Sequence, residues 1–255
     1  MKFLVIGDSC TDKFVYGKCE RICPEAPIPV FNPVKETLNG GMAKNVQANV
    51  KALDVECDII THSNEIVKTR YVDIKTNQML LRIDENDEAE DKFDYKGIPW
   101  SEYSAVLVSN YGKGFLRPCA IRDICQYHDN VYLDSNKVTM ECDLPLNLRF
   151  LKINEYELEI NSHWKHHLTP SQHGDSAYNR PAQIIITLGH KGCQYMGKVY
   201  PPPKRVVAQD LSGAGDTFLA ALAVSMTREG DAETAIKFAN ECATKVVSKR
   251  GVATI

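Results

Sequence analysis

The chain has 255 residues, 44% of them hydrophobic and 25% charged, with a formal net charge of −3 at pH 7. That length holds one large α/β domain, or one domain with a small appendage, and the composition is that of an ordinary globular protein. The weak acidic balance gives no global field for nucleic acid or a membrane surface, so a polyanionic ligand must be met by local cations. No run approaches the apolar length of a bilayer span. Met1 leads within a few residues into Gly7-Asp8, which predicts no secretory signal. Nine scattered cysteines, an odd number, are expected as reduced thiols in a cytoplasmic protein. Cys19 and Cys23 have loose metal-like spacing, but no second Cys/His pair stands at zinc-site distance.

Along the chain, residues 3–6 form an apolar run closed by Gly7-Asp8. A run of this length bounded by turn residues predicts a fully buried strand of a parallel sheet. Residues 10–38 carry Pro24, Pro27, Pro29 and Pro33 among aromatic and β-branched residues. Val46, Val50 and Leu53 then recur at helix spacing. Residues 70–73 and 79–84 flank Lys75-Thr76-Asn77-Gln78 and predict a hairpin. With the proline-rich segment it is expected to make a small β-sheet lid, over about 12–38 and 70–84, on a single domain spanning 1–255. The acidic stretch 84–94 reads as a solvated loop.

The buried-strand pattern returns four times: 105–108 before Ser109-Asn110, 131–133 before Asp134, 151–153 before Asn154, and 184–186 before Thr187-Leu188-Gly189. Ile121, Ile124 and Cys125 predict a helix after Pro118. Residues 161–180, with His163, His166 and His167, are polar and read as a surface segment. The alanine-rich stretch 218–226 predicts a buried helix. Behind Asp231, a fitting N-cap, Ala232, Ala235, Ile236, Ala239, Ala243, Val246 and Val247 trace a long stripe. Alternating strands and helices imply a doubly wound α/β fold, its mostly parallel sheet flanked by helices. In such sheets ligands bind beyond the carboxyl ends of the strands, where the polar residues just named cluster.

Gly213-Ala214-Gly215-Asp216 opens the 218–226 helix. The N–H groups of a helix's first turn lack intrahelical partners and form a ready anion site. An acid at its mouth repels a phosphate that is merely bound. It makes sense if it takes a proton from a hydroxyl that attacks the phosphate.

With that motif the chain resembles the ribokinase-like (PfkB-type) carbohydrate kinases, whose signature ends in Gly-Ala-Gly-Asp at a helix start. Within them it looks most similar to the D-glycero-β-D-manno-heptose-7-phosphate kinases. The similarity runs almost end to end: Val5-Ile6-Gly7-Asp8 with Asp12, residues 21–30 around Arg21-Ile22-Cys23-Pro24-Glu25-Ala26-Pro27, and Gly40-Gly41 with Asn45-Val46. Lys68-Thr69-Arg70, residues 78–84, Tyr111-Gly112-Lys113-Gly114 and Phe238-Ala239-Asn240 continue it.

The resemblance implies ATP and Mg²⁺ as cofactors and Asp216 as the base that deprotonates a sugar's anomeric hydroxyl. The N–H groups of Gly213, Ala214 and Gly215 would form the anion hole, where losing one donor costs about 3–4 kcal/mol of barrier. Asp12, Gly40, Gly41 and Asn45 match sugar-binding positions. Arg70, Arg82, Lys113 and Lys137 are candidates for the acceptor's own phosphate, with Arg70 and Lys113 favoured by their surrounding motifs. Asn154 and Glu157 match an Asn-x-x-Glu motif tied to phosphate and to Mg²⁺ through water. Thr187, Gly189, Lys191 and Gly192 match the nucleotide loop, and Asn240 a helix bordering the adenine. Asp210 and Ser212 fall where many members bind a monovalent cation such as K⁺.

The chain departs from the pattern in three places. The segment between Leu53 and Lys68 is short, as if about one βα unit were missing. Asn110 stands where an Asp is usual, and Ser212 where a Thr is usual. Three readings follow: a heptose-7-phosphate 1-kinase, a kinase for another sugar or sugar phosphate, and a non-catalytic nucleotide- or sugar-binding homologue. The partners expected are a small-molecule sugar phosphate and ATP, with neither nucleic acid nor membrane. Val15, Ile28, Val30 and Leu80 are expected at an exposed lid surface, which predicts a homodimer through the lid.

Overall fold

The computed structural model describes residues 1–117, 119–136, 148–160, 183–249 and 251–255. His163, His166, His167, Lys137 and Pro118 lie outside them. The chain opens with strand β1 (Lys2–Gly7), a long ribbon of β2 (Ser9–Ile22) and β3 (Pro29–Met42), helix α1 (Ala43–Ala52) and strand β4 (Glu56–Ile60). A hairpin of β5 (Val67–Asp73) and β6 (Met79–Glu85) follows. Then come β7 (Ala105–Asn110), α2 (Ala120–Tyr127), β8 (Val131–Ser135), β9 (Leu148–Asn154), α3 (Glu155–Ile160) and β10 (Ile184–Thr187). The antiparallel pair β11 (Cys193–Tyr195) and β12 (Lys198–Tyr200) leads to α4 (Ala214–Glu229) and α5 (Ala232–Val247).

Eight strands form the main sheet in the order β12-β11-β10-β9-β8-β7-β1-β4. From β10 to β4 every pairing is parallel. Along β1 the side chains alternate between two cores. Phe3 and Val5 pack with Val46, Leu107, Leu219 and Ile236 under α1, α4 and α5. Leu4 and Ile6 pack with Val106, Ile121, Ile124 and Leu151 on the α2 side. This period-2 split explains why the strand reads as one continuous apolar run: both faces are covered.

Helix α4 is buried from Asp216 to Met226, as a helix apolar all round must be. It ends at Gly230, whose N–H returns to Met226 O at 2.9 Å. Asp231 then caps α5 by accepting the Thr234 N–H at 2.7 Å.

A separate four-stranded sheet, β3-β2-β5-β6, forms the lid. The β5–β6 turn is closed by Asp73, whose carboxylate accepts from the Thr76 N–H (2.9 Å) and hydroxyl (2.6 Å). Ile28 and Leu80 are exposed as expected, but Val15 is buried at 7% exposure. In strand β2, between β3 and β5, the consecutive residues Phe14, Val15 and Tyr16 are all buried, so both faces of the strand are covered at that point. The acidic stretch is not simply solvated either: Ala89 and Phe93 tuck into the α2-side core, Phe93 edge-on to Phe115. The short 53–68 segment still provides the edge strand β4, and from there the chain passes into β5 with no helix in between.

Helix α4 packs against α1, α5, β7 and β8, so its core contacts tie the sheet to the helical layer. Leu222→Ala, at a fully buried position, is expected to lower unfolding free energy by about 2–5 kcal/mol. Urea denaturation with an unchanged m-value checks this.

Candidate active site

The carboxyl ends of β1, β7, β8 and β9 converge on the first turn of α4, where Asp216 is only 3% exposed. Each oxygen of its carboxylate has a donor from a distant part of the chain. Asn45 Nδ2 donates to Oδ2 at 3.0 Å, and the Tyr111 hydroxyl donates to Oδ1 at 3.0 Å. Asn45 is fixed in turn, since its side-chain oxygen accepts from Asn49 Nδ2 at 3.1 Å. Thr217 and the Ile255 N–H both donate to Asn49 Oδ1. The chain enters α1 through Met42, held at φ 57° and ψ −129°. Such backbone costs about 1–3 kcal/mol and persists only where the surroundings over-determine it.

Burial pushes the Asp216 carboxyl up to about 7. The Asn45 bond opposes that shift, Asp134 adds to it, and Lys152 and Tyr111 oppose it. A carboxylate poised near neutrality suits a general base.

Lys152 lies in the middle of β9, 5% exposed, and its ammonium donates to Asp134 Oδ2 at 2.6 Å. Burial disfavours its charge, but Asp134, Glu157 and Asp216 outweigh that and hold its proton above the usual range. A Cβ at Gly215 would sit 2.8 Å from Lys152 Nζ. The glycine is needed because a buried cation presses on the helix's first turn. Gly213, at φ 82°, is the residue before that turn. The three expected anion-hole donors are not equivalent: the Ala214 N–H turns back to Leu211 O at 3.3 Å.

Beside the lid, Gly41 lies directly on Asp12, where a Cβ would stand 2.0 Å from Asp12 Oδ2. Asp12 is ion-paired with Arg70, and the Arg70 guanidinium lies 5.1 Å from the Phe14 ring centroid. Gly40 packs beside Lys44. Arg70 and Arg82 line a cavity of about 430 Å³ with Phe14, Tyr16, Asp210 and Ser212. Lys113 is turned elsewhere, its ammonium held by Asp87.

On the opposite side, Asn154 and Glu157 cap α3 reciprocally: the Asn154 N–H donates to Glu157 Oε2 (2.7 Å) and the Glu157 N–H to Asn154 Oδ1 (2.8 Å). Burial raises the Glu157 carboxyl; Lys152 opposes that and Asp134 adds to it. Thr187 ends β10 and donates to Ile153 O at 3.2 Å. Gly189 and Lys191 form an exposed 3₁₀ turn closed by Gly192. Asn240 is buried and donates to Tyr200 O at 2.9 Å, so it fastens α5 to β12.

Asp210 accepts the Ser212 N–H at 2.8 Å and faces the 430 Å³ cavity. Among the described residues no three His, Cys, Asp or Glu side chains stand as a ready metal cluster. The acids Asp134 and Glu157 nonetheless outnumber the ammonium of Lys152. That surplus, all of oxygen donors, fits a Mg²⁺ that keeps its waters and arrives with phosphate oxygens.

Four residues of this centre carried no assigned role in the sequence: Asp8, Tyr111, Asp134 and Lys152. A lysine inside the apolar run 151–153 was a readable anomaly, since buried lysines need a partner. Tyr111 left no such trace. Asn110, neutral where an acid is usual, donates to Ser135 Oγ (3.0 Å) and accepts the Gly112 N–H (3.1 Å), a loop-holding role that needs no charge.

The family described as pfkB family carbohydrate kinase matches residues 119–255, more than half of the chain. The bifunctional protein HldE of Helicobacter pylori strain J99 is 29% identical over 99% of this chain and 64% of its own length. HldE of Campylobacter curvus is 28% identical over 100% and 63%. The chain thus spans somewhat less than two thirds of these relatives. Among solved structures, ribokinase from Thermotoga maritima superposes with a TM-score of 0.67 at 19% identity, covering 98% of this chain and 94% of that one. Phosphofructokinase-2 from Escherichia coli, solved with potassium, gives 0.67 at 10% identity over 98% and 93%. These likenesses show a ribokinase-type fold.

The Asp134–Lys152 pair makes a direct stability prediction. Lys152→Met leaves Asp134 an uncompensated buried charge and is expected to cost about 3–5 kcal/mol. The double variant Asp134→Asn/Lys152→Met should recover most of that loss in chemical denaturation.

Proposed function

Because the chain belongs to the pfkB family of carbohydrate kinases and is a sugar kinase, we propose that it transfers the γ-phosphoryl group of ATP to the anomeric hydroxyl of a heptose 7-phosphate. The observation that carries the reading is Asp216: a buried carboxylate, raised to about 7, at the first turn of a helix. In the proposed step Asp216 takes the proton of the attacking hydroxyl. The hydroxyl oxygen forms a bond to the γ-phosphorus as the bond to the ADP oxygen breaks. Gly213 and Gly215 N–H groups and the Lys152 ammonium face the charge that spreads over the transferring group.

Mg²⁺, when bound with the nucleotide, neutralises phosphate charge. Glu157 is the residue that would hold its water shell, with Asn154 fixing Glu157. The loop Thr187–Gly192 would meet the nucleotide, and Asp210 with Ser212 is the candidate place for K⁺.

The heptose assignment rests on the matching segments at 21–30 and 68–70 and on the HldE relatives. Asp12, Asn45 and the backbone at Gly40-Gly41 would bind the sugar. Arg70, with Arg82 across the same cavity, would take its phosphate, exchanging Asp12 for the ligand. No helix among the described residues is long and apolar enough to cross a membrane.

We also propose a homodimer through the lid. Ile22, Val34, Leu38 and Leu81 are each more than half exposed there, apolar side chains that a second lid would cover. Light-scattering mass at working concentration should give twice the chain mass of 28.6 kDa; a monomer at all concentrations contradicts it.

Coupled ADP release should require both Mg²⁺ and heptose 7-phosphate. Asp216→Asn should lower kcat by about 10²–10⁴-fold while calorimetric ADP affinity changes little. Turnover of a different sugar phosphate would reassign the acceptor. Nucleotide binding without ADP formation on any acceptor would mean a non-catalytic homologue.

A further inference from the structure

The loop that follows β7 is pinned at every peptide around Tyr111. The Tyr111 N–H donates to Asp8 Oδ2 at 2.8 Å, and the Lys113 N–H donates to the same oxygen at 3.2 Å. The Gly112 N–H is taken by Asn110 Oδ1, and Asn136 Nδ2 donates to Tyr111 O at 3.1 Å. Asp8 is fully buried, and its Oδ1 has no hydrogen-bond partner among the described residues. A fully desolvated carboxylate is an expensive way to hold a loop, and the cost is intelligible only if the loop must not move. What the loop presents is the Tyr111 hydroxyl, at 3.0 Å from Asp216 Oδ1.

We propose that Tyr111, held by Asp8, is a positioning residue for Asp216: its hydroxyl orients the carboxylate and favours the ionised form that accepts the substrate proton. The inference rests on Asp216 being the base.

The phenol suits this task. Burial, then the nearby Asp216 charge, raises its own proton affinity well above the usual tyrosine range, so it stays a donor at every working pH. A hydrogen bond to the charged form of an acid stabilises that form, and charge-assisted bonds of this kind are the stronger ones. The other groups facing Asp216 divide by sign. Asn45 from α1 donates to it, Lys152 from β9 attracts it, and Asp134 from β8 repels it. Cys10 of the lid also feels the Asp216 charge, but burial keeps its thiol up at about 12 and therefore neutral. Among the described residues, Tyr111 and Asn45 are thus the two direct donors that offset the burial of the carboxylate. Only Tyr111 stands on the loop held by Asp8, not on the helix that carries Asn45.

The test is Tyr111→Phe, which keeps the ring and removes the donor. Without the hydroxyl the ionised form of Asp216 is disfavoured, so the acid limb of kcat/KM moves to higher pH. The expected result is a fall of about tenfold near pH 6 and less than about twofold near pH 9. A fall that is equal at all pH values overturns the proposal, as does no fall. The second readout needs no turnover. The pH range over which native stability declines runs from the unfolded-state to the folded-state value of Asp216, and its upper end, read by urea unfolding, should move upward in Tyr111→Phe. It should vanish in Asp216→Asn. An unmoved range overturns the proposal even if the protein proves inactive on every sugar phosphate, an outcome that would count against the kinase reading alone. Asp8→Asn, which keeps one acceptor oxygen for the loop, should shift both readouts in the same direction but less; if Tyr111→Phe unfolds, this variant decides.

Discussion

Water stabilises a carboxylate far better than a protein interior does, so a buried one must gather partners or give up its charge. Asp216 gathers them from remote sequence: Asn45 from the first helix and Tyr111 from the loop after β7, with Lys152 from β9 supplying the nearest opposite charge. Each partner brings its own supports. Asn45 needs Asn49, Thr217 and the backbone near Ile255. Tyr111 needs Asp8 at the end of β1. Lys152 needs Asp134 at the end of β8. The parallel sheet serves this purpose because it brings the carboxyl ends of four strands to one edge, where the head of α4 closes the arrangement.

The balance is deliberately incomplete. Three acids surround a single ammonium, so the site as built favours a further positive charge, and Asp216 sits near half-ionisation at neutral pH. Full neutralisation would leave the carboxylate too weak a base to take a proton. Complete isolation would leave it protonated. A folded-state value of about 7 for Asp216 lies above the ordinary aspartate range near 4. Between those values the unfolded chain has released the proton that the native protein keeps. Native stability therefore declines as pH rises through this range. The raised carboxyl therefore makes the native protein less stable at neutral pH than at mildly acid pH.

Much of the fold was legible in the sequence, and for a physical reason. Strands buried on both faces become short apolar runs, and at 3–6, 105–108, 131–133, 151–153 and 184–186 each run ends in turn residues at the carboxyl end of its strand. Asp231 and Gly230 mark a helix start and stop as local chemistry requires. The lid was legible as a hairpin and a proline-rich ribbon, but the burial of Val15 was not, because it depends on both faces of β2 being covered in the folded chain. The link from β4 to β5 is short yet not loose: the Ser9 N–H donates to His62 Nε2 (3.1 Å), and Thr61 donates to Ser9 Oγ (2.8 Å). Gly213–Asp216 announced a phosphate cradle with an acid at its edge. The grip of Tyr111 on that acid joins positions 105 residues apart, and no local pattern encodes such a pairing. For the same reason Asn240 and Lys113, chosen by motif, proved to be engaged with Tyr200 and Asp87.

The claim on which the rest depends is that burial, moderated by Asn45, Tyr111 and Lys152, poises Asp216 near neutrality. A ¹³C-carboxyl NMR titration of the ligand-free protein, with the Asp216 signal assigned by its loss in Asp216→Asn, measures this directly. The account predicts a midpoint of about 7. A midpoint in the ordinary aspartate range near 4 would contradict it.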